Sequence, residues 1–169
     1  YCIFYIKQFF YDNGDLQSVS YKKDKFFKTN KNNDNPYIKI QLGLSFVKIL
    51  SWHNPERANE LLEDTIKIIE RLPEDLKNRK MADYYKCKGD FYKIRNEYNM
   101  ALDFYKMALS YKFDTPEKYS ETYWEMANIY DNTKDYDNAE KYLLEYINKA
   151  KSTESKSLRK SNLQKAYYQ

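Results

Sequence analysis

Seven positions of this chain recur at one fixed offset. Tyr85, Gly89, Tyr92, Tyr98, Ala101, Tyr105 and Ala108 return as Tyr123, Ala127, Tyr130, Tyr136, Ala139, Leu143 and Tyr146, each 38 residues further on. The types agree by role, with aromatic on aromatic and small on small at most positions. A constant period in the range of about 20–50 residues is the mark of a stacked-repeat protein, in which each unit buries its apolar face only against its neighbour. Within a unit the spacing is helical. Tyr123, Met126 and Tyr130 fall on one face, a polar turn follows at Asp131–Asp135, and Tyr136, Ala139, Leu143 and Tyr146 make a second apolar face. The small residues are expected where antiparallel helices cross closely, with Gly89 or Ala127 packing near Ala101 or Ala139.

Composition supports helices and little else. Three Gly and four Pro in 169 residues are too few for the frequent turns of an all-β sandwich or barrel. The prolines instead open helices: Asn54-Pro55-Glu56 and Asp114-Thr115-Pro116-Glu117 each place Pro in a first turn behind a capping side chain. The resulting map has helices at about 1–11, 15–29, 36–51, 55–71, 74–94, 98–112, 116–132, 136–150 and 155–169. They group into units at about 1–33, 36–72, 74–113 and 115–151, with a partial or capping helix at 155–169, all in one repeat domain at residues 1–169. The unit at 36–72 is degenerate, because Phe46 stands where a small residue is expected before Ala58, Leu62 and Thr65. Tyr1 in place of Met and an end inside a periodic segment are expected of a piece of a longer protein. The apolar run Tyr1–Tyr11 reads as a buried helix, or else as the tail of a signal or anchor segment.

Two motifs carry a family resemblance: Tyr123-x2-Met126-Ala127-x2-Tyr130 with Tyr136-x2-Ala139-x3-Leu143-x2-Tyr146, and Tyr85-x2-Lys88-Gly89-x2-Tyr92 with Tyr98-x2-Ala101-x3-Tyr105-x2-Ala108. Together they resemble the tetratricopeptide repeat. The period departs from that family's unit of about 34 residues by roughly one helical turn. The longer unit is similar to the repeats of bacterial signalling and regulatory proteins. The resemblance implies an all-α, right-handed superhelix of antiparallel helix pairs, an α-α solenoid that binds protein or peptide along a concave groove lined by first helices. Carried over to this chain, the groove positions are Asp83, Lys86, Cys87, Asp90 and Lys93, then Glu121, Trp124, Asn128, Asp131 and Asn132. Trp124 is either a groove anchor or a packing residue. A clamp for a peptide carboxylate is disfavoured, because Asp90 lies one turn beyond Lys86 and would repel it.

Other chemistries find little support. Cys2 and Cys87 are far apart and His53 is the one histidine, so no zinc spacing and no metal site arise. Neither Cys87 with His53 nor Asp83 with Asp90 has a partner pattern that would make it catalytic, and no nucleotide or nucleophile-elbow motif is present. No enzyme activity and no cofactor are expected. The run Lys22–Lys28 mixes bases with Phe26 and Phe27, but Asp24 and a net charge of only +4 weigh against nucleic acid. No apolar stretch is long enough to cross a membrane. The expectation is a non-enzymatic protein- or peptide-binding scaffold in the cytoplasm. The alternative is a sensory or dimerisation domain of a larger peptide-responsive transcription regulator or sensor kinase. Uncapped repeat ends would also leave apolar faces for homo-oligomer contacts.

Overall fold

The computed structural model describes residues 35–151. Among them are six helices and no strand: α1 Pro36–His53, α2 Pro55–Ile69, α3 Glu74–Ile94, α4 Tyr98–Ser110, α5 Pro116–Asn132 and α6 Tyr136–Lys151. The architecture is all-α, with α1 packed on α2, α3 on α4 and α5 on α6 as consecutive helix pairs. The helices expected at 1–11, 15–29 and 155–169, and the basic-aromatic run Lys22–Lys28, lie outside the described residues. The chain divides between Ile69 and Glu70 into two compact units.

In the first unit, asparagine sets the helix ends. The Asn35 carboxamide accepts the Tyr37 amide at 3.0 Å ahead of Pro36, which cannot donate and so loses nothing at this position. Asn54 closes α1 and opens α2 at once. Its amide donates to Leu50 at 2.7 Å, while its side chain accepts the Arg57 amide at 3.0 Å. A single residue therefore joins the two helices, and α1 runs on to His53. The pair meets at Gly43, where an added Cβ would run into the Thr65 hydroxyl. Gly43 is thus the small residue of this unit, and Phe46, expected in that place, is a core side chain with 4% exposure. Ile40 and Val47 of the apolar α1 face are fully buried, with Leu44 and Leu50 half-buried beside them.

In the second unit the 38-residue period is visible as geometry. Tyr92 stacks on Phe104 at 5.3 Å and 13°, and Tyr130 stacks on Tyr142 at 5.3 Å and 11°. Tyr85 lies 6.2 Å from Phe104, and Tyr123 lies 6.3 Å from Tyr142. Each contact of the second set is the first displaced by one repeat. Between the two pairs, α4 packs on α5 through Ala101, Leu102, Tyr105, Met126 and Ile129. Met126 and Ile129 are wholly removed from water, worth roughly 1.5–3 kcal/mol each as transfer free energy.

The period also governs the helix ends. At the end of α3, the Asn96 amide donates to Lys93 and the Glu97 amide to Tyr92, both at 3.0 Å. At the end of α5, Lys134 donates to Asp131 at 2.9 Å and Asp135 to Tyr130 at 2.8 Å. Both are Schellman caps, and each requires one left-handed residue: Asn96 with φ 60° and Lys134 with φ 61°. Asparagine tolerates that conformation, whereas a lysine Cβ is crowded there. Lys134→Gly is therefore expected to stabilise the chain by up to about 1 kcal/mol in urea unfolding, with a smaller gain for Asn96→Gly. A loss in Lys134→Gly would mean that the lysine side chain holds the turn.

Candidate functional site

The charged faces of α3 and α5 meet. Lys80 donates to Asp114 at 2.7 Å and lies 3.6 Å from Asp83. Lys118 donates to Asp83 at 2.6 Å. Lys86 stands 3.5 Å from Asp90 and 3.7 Å from Glu121, and Lys93 pairs with Glu125. The pairs advance together along both helices, so α3 and α5 run parallel with a ladder of alternating charge between them. Asp114 and Thr115 were the two residues expected to cap α5. Asp114 serves the ladder instead, and Thr115 takes the cap position without a side-chain hydrogen bond.

Burial makes the ladder matter more than a surface set of pairs. The side chains of Lys80, Asp83, Lys86 and Asp90 are each 15% exposed or less. Burial would depress the Lys86 ammonium, but the charges of Asp90, Glu121 and Glu125 outweigh it and hold the group above its ordinary value. Lys80 is raised in the same way, its burial opposed by Asp114 and Asp83. Burial alone would raise the Asp114 carboxyl, and Lys80 reverses the sign and lowers it. Asp90 has a second duty: it accepts the Tyr105 hydroxyl at 2.6 Å. Burial, followed by the Asp90 charge and hydrogen bond, pushes that phenol far above the tyrosine range.

The ten positions named from the sequence separate into two groups. Asp83, Lys86, Asp90, Lys93 and Glu121 belong to the ladder. Cys87 lies among them as a buried thiol. Trp124 is half-buried, its ring 5.2 Å from that of Tyr146 in its own helix pair. Asn128 is half-buried, and Asp131 and Asn132 are exposed at the end of α5. Four ladder members escaped the sequence reading: Lys80, Asp114, Lys118 and Glu125. Their signal was partial: both first helices carry charge at helical spacing, but residues one period apart, Lys80 and Lys118 or Asp83 and Glu121, have the same sign. Among the described residues no group of three His, Cys, Asp or Glu side chains could hold a metal ion, and no helix is long and apolar enough to cross a membrane.

The family model for PSD13 N-terminal repeats matches residues 2–120. No curated protein and no solved structure matches the chain significantly. The family match overturns the resemblance to the tetratricopeptide repeat. The physical reason is that aromatic and small residues at helical spacing are what any close pair of antiparallel helices requires. That pattern does not separate one helical-repeat family from another, whereas the long period was the feature that did not fit. The chain belongs to the family of PSD13 N-terminal repeats.

Proposed function

We propose that this chain is a non-enzymatic scaffold of a proteasome-lid-like assembly, contributing helical repeats that hold neighbouring subunits in place. The observation that carries the reading is the family match over residues 2–120 on a chain built of helix pairs. The charge ladder suits such a role. A scaffold must keep a fixed shape under load, and buried paired charges between consecutive helix pairs resist sliding more than an apolar seam does. In this reading partners are proteins, contacted through the polar first-helix side around Glu121, Asp131 and Asn132, and the location is cytoplasmic.

The test is migration of the native particle. The epitope-tagged chain, expressed in the cells it comes from, is expected to run on native gels with a large particle that carries peptidase activity. Asp131→Lys with Asn132→Lys is expected to reduce that co-migration without lowering thermal stability, since both side chains are exposed. Migration of the tagged wild-type chain only at its own size, with none in the peptidase-bearing band, would refute the reading.

A further inference from the structure

We infer that the α3–α5 ladder is a charge code that admits a single register between successive helix pairs, and that salt loosens it. The argument is in the order of the charges. Along α3 the facing side chains read Lys80, Asp83, Lys86, Asp90, Lys93; opposite them stand Asp114, just ahead of α5, and then Lys118, Glu121 and Glu125 along it. In the observed register Asp114 faces Lys80, Lys118 faces Asp83, Glu121 faces Lys86 and Glu125 faces Lys93. Sliding α5 one turn towards the end of α3 sets Lys118 against Lys86 and Glu121 against Asp90. Sliding it one turn the other way sets Lys118 against Lys80 and Glu121 against Asp83. Both slips bring like charges together, and the α3 groups that would meet them, Lys80, Asp83, Lys86 and Asp90, are largely withdrawn from water, while Lys118 is partly and Glu121 largely exposed.

The apolar seam, apart from Tyr105 with its hydrogen bond to Asp90, discriminates less. Leu102, Met126 and Ile129 are aliphatic side chains, and such contacts tolerate rearrangement at modest cost. Affinity between the pairs therefore lies in the α4–α5 core, and register lies in the α3–α5 charges. This is the same division that gives coiled coils an apolar seam and charged flanks that choose the partner. The device holds for any function of the chain, because it concerns only how one repeat seats on the next.

The experiment uses the full chain. Zero-length carbodiimide coupling read by mass spectrometry is expected to join Lys118 to Asp83 and Lys80 to Asp114, whereas a Lys77–Asp114 link would report α5 slipped one turn towards the start of α3 and a Lys118–Asp90 link a slip of two turns the other way. Lys118→Glu is expected to speed hydrogen exchange of α5 amides about ten-fold or more relative to wild type. Combining it with Asp83→Lys is expected to bring exchange back to within about three-fold and to restore the 83–118 link with the roles exchanged. If Lys118→Glu does not fold, a folded exchange variant with that link still supports the code. Raising salt from roughly 0.05 M to 1 M should speed α5 exchange in wild type and have less effect in a variant lacking both charges. Failure of the exchanged pair to recover protection, or a wild-type α5 indifferent to salt, would overturn the proposal.

Discussion

Gly89→Ala is expected to cost the chain about 2 kcal/mol in urea unfolding, although the same change in an open helix normally gains about 1 kcal/mol. A Cβ at this position would stand 2.6 Å from two carbons of the Tyr105 ring. Tyr105 has 0% exposure, and its hydroxyl is tied to Asp90, so the ring cannot swing aside without breaking a short hydrogen bond. The repeat itself supplies the remedy. One period on, the corresponding trio is Ala127, Asn128 and Leu143 in place of Gly89, Asp90 and Tyr105. Where the facing residue is a slimmer leucine, an alanine fits, and no carboxylate is needed to receive a hydroxyl. Gly89→Ala combined with Asp90→Asn and Tyr105→Leu should thus recover at least half of the loss. A triple variant no more stable than the single one would show that the steric argument is wrong.

That trio also shows what can be read from residues in order and what cannot. The period, the two-helix unit and the ends of α3 and α5 were legible, because caps, prolines and helical spacing act over a few residues. The α1 end at His53 was less so, since Asn54 was read only as the opening of α2. The nearest neighbour of Gly89 was not read: sequence spacing suggested Ala101, and the ring of Tyr105 one turn further is what a Cβ there would meet first. The candidate site was legible as a polar first-helix face but not as a set of mutual partners. Lys80 meets Asp114, Lys118 meets Asp83 and Lys93 meets Glu125 across separations of 34, 35 and 32 residues. Such pairing follows from how two helix pairs seat on each other, and that is decided by packing rather than by local pattern. Family membership was illegible for a related reason, since the small and aromatic positions that gave the repeat away answer to helix crossing in general.

The second large effect is expected in alkali. Tyr85, Tyr105, Tyr123, Tyr130, Tyr142 and Tyr146 are all held above the ordinary tyrosine value of 10.0, with burial the leading cause in each and Tyr146 pushed up to about 12. A phenol raised in the folded state stays protonated there and loses its proton on unfolding. Its contribution is complete below pH 10.0 and drains away as the pH climbs towards the folded value. Lys80 and Lys86, raised above 10.5, add a loss of the same sign, because deprotonation leaves their carboxylate partners unpaired. Each phenol that is protonated when folded and ionised when unfolded adds up to about 1.4 kcal/mol per pH unit, Tyr105 over the widest range and the less shifted tyrosines over narrower ones. On the acid side Asp114 is lowered below 3.8, so its contribution is lost only as the pH falls through that range, and the slope is shallow. The chain should therefore tolerate mild acid and unfold steeply above about pH 10, with helical circular dichroism falling as the buried phenols ionise. Tyr105→Phe should flatten the alkaline slope by about one proton's worth while lowering stability at neutral pH, where Asp90 loses its donor. Smooth ionisation of every tyrosine near pH 10 with the helices intact would mean that the rings between the helix pairs are open to water, and the packing described for the second unit would have to be abandoned.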